Sequence, residues 1–172
     1  PVGRILAAAA YRVGRAPNAV TAVSGLCTAI GIALIASAPI QPWLGVVVWL
    51  FLALGYALDS SAGQVARLRG GGSLSGEWLD HVIDATKIPA LHLAVLIYLW
   101  RWSDYGSDAV LLVPLVYSVV ASTTFFAMIL NDQLKRSAGV AESIAQGGSS
   151  PVRSIILLPT DYGVFCAAFL LL

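Results

Sequence analysis

An all-α fold, a polytopic bundle of membrane-spanning helices edged by an N-terminal amphipathic surface helix, is what this sequence predicts. Three observations predict it. Of 172 residues, 58% are hydrophobic and 11% charged, against roughly 45–50% and about 25% in a soluble domain, so polar side chains are too few to cover a water-facing surface. The apolar residues gather into five runs separated by polar or glycine-rich links, as successive crossings of a bilayer require. Finally, Lys and Arg crowd the links on one side only. Ten Lys and Arg against nine Asp and Glu leave a formal charge of +1, which gives no footing for a nucleic acid partner.

Gly3 to Ala16, with Arg4, Arg12 and Arg15 around a small apolar stretch, predicts a helix lying on the membrane surface. Ala19 to Ser37 is an uncharged run of 19 residues, long enough to cross about 30 Å of hydrocarbon. Trp43 to Leu58 and Ile88 to Trp100 are short for spans unless their helices continue through the charged stretches Asp59 to Arg69 and Ser75 to Lys87. Gly70, Gly71 and Gly72 make the turn between them. Ala109 to Leu130 is the fourth span, Ser137 to Ser150 a Ser/Gly/Ala-rich loop, and Ser154 to Leu172 the fifth span, broken by Asp161. Because the last residues are still apolar, a sixth span is expected beyond Leu172. Residues 1–172 thus form one domain, a juxtamembrane helix over 1–16 and a bundle over 17–172. Arg4, Arg12, Arg15, Arg67, Arg69, Lys135, Arg136 and Arg153 share one side, which the positive-inside rule makes cytoplasmic, and Arg101 lies on the other. Cys27 and Cys166 sit in apolar runs and read as small buried side chains. The five tryptophans, mostly near span ends, read as interfacial anchors, and His81 and His92 as structural.

Chemistry concentrates where the second and third spans turn polar. Asp59, Ala62, Gly63, Ala66 and Arg67 follow helical spacing on one face, and Asp80, Asp84 and Lys87 share another. A short turn makes the two helices antiparallel, which gathers three carboxylates around one cavity. Acids that close repel unless a cation lies between them, and oxygen ligands favour Mg²⁺, Mn²⁺ or Ca²⁺, commonly completed by substrate phosphates. Gly63 and Ala66 have two readings, room for a phosphate or close packing of helices.

Written out, Asp59-x2-Ala62-Gly63-x2-Ala66-Arg67-x8-Gly76-x3-Asp80-x3-Asp84 resembles the signature of the CDP-alcohol phosphotransferase (phosphatidyltransferase) family, D-x2-D-G-x2-A-R-x8-G-x3-D-x3-D, with every spacing kept. The resemblance implies a six-span enzyme of phospholipid biosynthesis that moves a phosphoryl-alcohol group from a CDP-alcohol to an acceptor hydroxyl and releases CMP. It implies Mg²⁺ or Mn²⁺ at Asp59, Asp80 and Asp84, with Asp84 also the catalytic base. Gly63, Ala66, Arg67 and Gly76 would hold the CDP moiety, and Asn18 and Thr21 would face the cytidine. Lys135, Arg136 and Arg153 have two readings, contact with a phosphorylated acceptor or the positive-inside pattern with pairing to lipid headgroups. A homodimer in the cell membrane with its site at the cytoplasmic face is implied as well. The departure is Ala62, where the family has its second aspartate. It is open to three readings: an alanine introduced to trap an inactive state, a natural paralogue without activity, or chemistry with a single metal. The competing functions are an intramembrane prenyltransferase or terpene cyclase, which also binds diphosphate through Asp-rich helices, and a cation pathway lined by buried acids.

Overall fold

The computed structural model describes residues 2–14, 16–39, 41–104 and 108–139. Five α-helices and a 3₁₀ turn account for them: α1 Val2–Arg12, α2 Pro17–Ser37, α3 Pro42–Leu68, α4 Leu74–Trp102, the turn Asp108–Leu111 and α5 Leu112–Ser137. Four segments, α2, α3, α4 and α5 with its preceding turn, are long and apolar enough to cross a membrane. The expected fifth span Ser154–Leu172, with Arg153, Asp161 and Cys166, and most of the loop before it lie outside the described residues.

The second and third spans do run on through their charged halves, so α3 has 27 residues and α4 has 29. Continuing the helix is the only inexpensive option there, because an unpaired backbone amide in hydrocarbon costs several kcal/mol. Pairing follows from the residues that meet. Ser24 meets Asp59, Gly31 meets Leu52 and Ile35 meets Val48, so α2 and α3 run antiparallel. Leu52 packs with Leu91 in the core, while Asp59 meets Lys87, and α4 therefore runs antiparallel to α3. Glu77 and His92 of α4 face Arg136 and Tyr117 of α5, again antiparallel.

Helices α2 and α3 approach closely at Gly55. A Cβ there would fall on the Thr28 hydroxyl and within 3.2 Å of the Ser24 carbonyl oxygen, so glycine is what lets α2 and α3 touch along their backbones. Ser24, fully buried, donates to the Gly55 carbonyl at 2.9 Å and bonds the two helices at that point. Toward the other end, Ile35, Val48, Leu52, Leu91 and Ala94 form the apolar core, with Trp49 against it. Trp49 is thus a packing residue and departs from the anchoring role expected of the tryptophans, whereas Trp43, Trp78, Trp100 and Trp102 are exposed.

Helix α1 is shorter than the sequence suggests. It ends at Arg12 because Gly14 takes φ +73°, and Pro17 then opens α2. It packs on α3, burying Ala7, and a Cβ on Gly3 would lie 3.2 Å from the Ser60 hydroxyl.

Candidate active site

The polar ends of α2, α3 and α4 meet beneath the glycine turn. Gly70 and Gly71 have φ +91° and +126°, which L side chains rarely adopt, and the Gly71 amide closes the end of α3 on the Ala66 carbonyl at 3.0 Å. Ser73 then caps α4, its hydroxyl accepting from the Gly76 amide at 3.1 Å. This tight reversal sets α3 and α4 side by side with a cleft of about 700 Å³ between them and the start of α2.

Nearly every residue singled out in the sequence lines that cleft: Asp59, Ala62, Gly63, Ala66 and Arg67 from α3, Gly76 and Asp80 from α4, and Asn18 and Thr21 from α2. The two readings of the small residues can now be separated. Among the described residues a Cβ on Gly63 would meet nothing within 4 Å, so this glycine serves no contact with α1, α2, α4 or α5 and leaves space in the cleft. Gly76 is different, since a Cβ there would lie 2.9 Å from Asn18 Oδ1, and it lets the first turn of α4 approach α2. Arg67 is exposed and makes no ion pair or hydrogen bond among the described residues, so its guanidinium is available to an anion. Ser60 and Ser61 offer no substitute for the absent aspartate: Ser61 is buried and bonds the Leu58 carbonyl, and neither lines the cleft.

Asp84 is not among the residues lining the cleft. Its carboxylate is held by Lys87, whose ammonium lies 2.6 Å from Asp84 Oδ1 and 3.4 Å from Asp59 Oδ1. The Asp84 oxygen is buried and makes no hydrogen bond of regular geometry, so the charge of the ammonium is what compensates it. Asp59 also receives the Ser24 hydroxyl at 3.4 Å. The i,i+3 spacing puts Asp84 and Lys87 on one face; the reach of Lys87 across to α3 was not legible, because no local pattern encodes which helix a long side chain crosses to.

Among the described residues no group of three or more His, Cys, Asp or Glu is arranged to hold one metal ion. The cation lying between Asp59 and Asp84 is the lysine. Asp59 and Asp80 nonetheless both line the cleft, and Asp80 has neither a hydrogen bond nor an ion pair among the described residues. Two carboxylates opening on one cleft form an oxygen-only donor set that fits a single hard divalent cation completed by water and phosphate oxygens.

Several neighbours had no site role assigned from the sequence. Arg69, Ser73 and Glu77 also line the cleft, and Arg69 stacks 6.0 Å above the Tyr11 ring, tying α1 to the turn. Glu77 pairs with Arg136 at 2.5 Å and sits 3.8 Å from His81, so Arg136, for which an acceptor contact is one of two readings, is engaged by α4. His92 is a structural residue set edge-on to Tyr117 at 4.7 Å.

Compared with known proteins, the chain matches no curated protein sequence. It does match a family model, described as CDP-alcohol phosphatidyltransferase, over residues 15–172.

Proposed function

Because the chain belongs to the CDP-alcohol phosphatidyltransferase family, we propose that its cleft binds a CDP-alcohol with one Mg²⁺ or Mn²⁺ and passes the phosphoryl-alcohol group to an acceptor hydroxyl. At the level the family itself carries, the protein is a membrane-embedded transferase of phosphate-containing groups in lipid synthesis. The observation that carries the finer reading is the cleft, in which Gly63, Ala66, Arg67, Gly76, Asp59 and Asp80 line one space of nucleotide size.

In this reading Asn18 and Thr21 face the cytidine, while Gly63 leaves room for the diphosphate and Arg67 binds it by charge-assisted hydrogen bonds. Asp59 and Asp80 hold the divalent cation, which when bound neutralises charge on the diphosphate. Asp84, one turn beyond Asp80, takes the proton of the acceptor hydroxyl. The acceptor oxygen forms its bond to the phosphorus that carries the alcohol, the bond from that phosphorus to the bridging oxygen breaks, and CMP leaves with the electron pair. The clustering of Arg4, Arg12, Arg67 and Arg69 at this end supports a cytoplasmic cleft, and the family resemblance supports a homodimer.

Thermal unfolding in detergent tests the binding step: CDP raises the melting temperature when Mg²⁺ or Mn²⁺ is present and leaves it unchanged in chelator. Equal stabilisation in chelator overturns the metal-dependent reading. CMP release from a CDP-lipid, across a panel of hydroxyl acceptors, tests the transfer.

A further inference from the structure

Two features meet in this site, an absent carboxylate at Ala62 and a lysine between the carboxylates that remain. Ala62 is one turn after Asp59, lines the cleft and is only 4% exposed. Lys87 rises from the apolar groove between α2 and α4, which Gly25, Ile83 and Ala90 also line, and its side chain is 16% exposed. The stem lies among apolar groups while the ammonium reaches Asp84 at 2.6 Å and Asp59 at 3.4 Å. No other ion pair involving Asp59 or Asp84 exists among the described residues. A charge so placed is costly to remove, since it would leave two half-buried acids facing one another at membrane depth.

Charge counting links the two. Asp59, Asp80 and Asp84 with the Lys87 ammonium carry a formal charge of −2, which one divalent cation neutralises. An aspartate at position 62 and no lysine would make it −4, which calls for two. We propose that Lys87 is a tethered cation standing in for a second divalent ion, so that the site takes one Mg²⁺ or Mn²⁺, at Asp80 and the open side of Asp59. The ammonium fixes Asp59 and Asp84 in place without any ion from solution; Lys87 is thus a positioning residue. This rests on the reading that the cleft takes a divalent cation with the nucleotide.

The test counts bound Mn²⁺ by electron paramagnetic resonance, on protein in detergent with saturating CDP. The parent and Lys87→Arg bind one Mn²⁺ per chain. The double variant Ala62→Asp/Lys87→Met binds two, with the exchange-broadened spectrum of ions about 3.5–4 Å apart. Lys87→Met alone melts at least about 4 °C below the parent in chelator and regains that loss with Mn²⁺, whereas the parent shifts little. Two Mn²⁺ in the parent, with CDP bound, overturn the role of Lys87 and leave the proposed function standing. One Mn²⁺ in a folded double variant overturns it as well. A parent that binds neither Mn²⁺ nor CDP overturns both readings. Should Lys87→Met fail to fold, Ala62→Asp with Lys87 intact decides: one Mn²⁺ per chain is expected, and two overturn the role of Lys87.

Discussion

At Gly63 a methyl group would meet none of the described residues and at Gly55 it would meet another helix, so two glycines of α3 that look alike in sequence carry opposite consequences. Gly63→Leu is expected to weaken CDP binding at least about tenfold while leaving stability equal or higher by up to ~1 kcal/mol, since leucine is the better helix former. Parallel nucleotide titration and thermal unfolding check both halves of that statement. Gly55→Ala should instead cost about 1–3 kcal/mol by overpacking, read as a lowered melting temperature in detergent whether or not nucleotide is present. Asp80 has a third signature. As a carboxylate without a partner among the described residues, it can become Asn at little structural cost, yet Mn²⁺ affinity should fall by about 10–100-fold or more, as expected for losing a metal-site oxygen. A melting temperature that dropped in step with the affinity would point to a structural role.

The helices were legible to different depths. Apolar run length located α2 within two residues of its start, and the cost of an open backbone in lipid carried α3 and α4 through Asp59 and Lys87. The end of α5 was not legible, because hydropathy stops at Leu130 whereas the backbone stays helical through Asn131 to Ser137, where Arg136 gains Glu77 as a partner. Most of the site could be read because one turn of known tightness forces two helix faces together. What could not be read were contacts set by crossing geometry, such as Lys87 with Asp59 and Arg69 with Tyr11. The turn itself yields a prediction at this scale. Gly71 has φ +126°, so Gly71→Ala should cost about 1–3 kcal/mol of backbone strain and loosen the cleft, seen as a lower melting temperature together with weaker CDP binding. Gly72→Ala, where no positive φ is required and nothing lies within 4 Å, is the control expected to do neither.

Across the whole molecule, the turn at Gly72 and the link after Trp102 should open on opposite sides of the bilayer, the first to the cytoplasm. With Cys27 and Cys166 replaced by serine, an impermeant thiol reagent added to intact cells should label Asp104→Cys and spare Gly72→Cys; inverted vesicles should reverse the pattern. The two ends also differ mechanically. One is clasped by Ile35, Val48, Leu52, Leu91 and Ala94, while the other is bridged by a lysine, a serine hydroxyl and a three-glycine turn around open space. A bundle fastened so unevenly should move like tongs, with the pivot at the apolar end and the jaws at the cleft. Opening the jaws by an ångström or two would disturb few packed side chains, so the cleft is expected to widen without unseating the pivot. Deuterium should accordingly enter the amides around Val48 and Leu91 last, and those flanking Gly70 first.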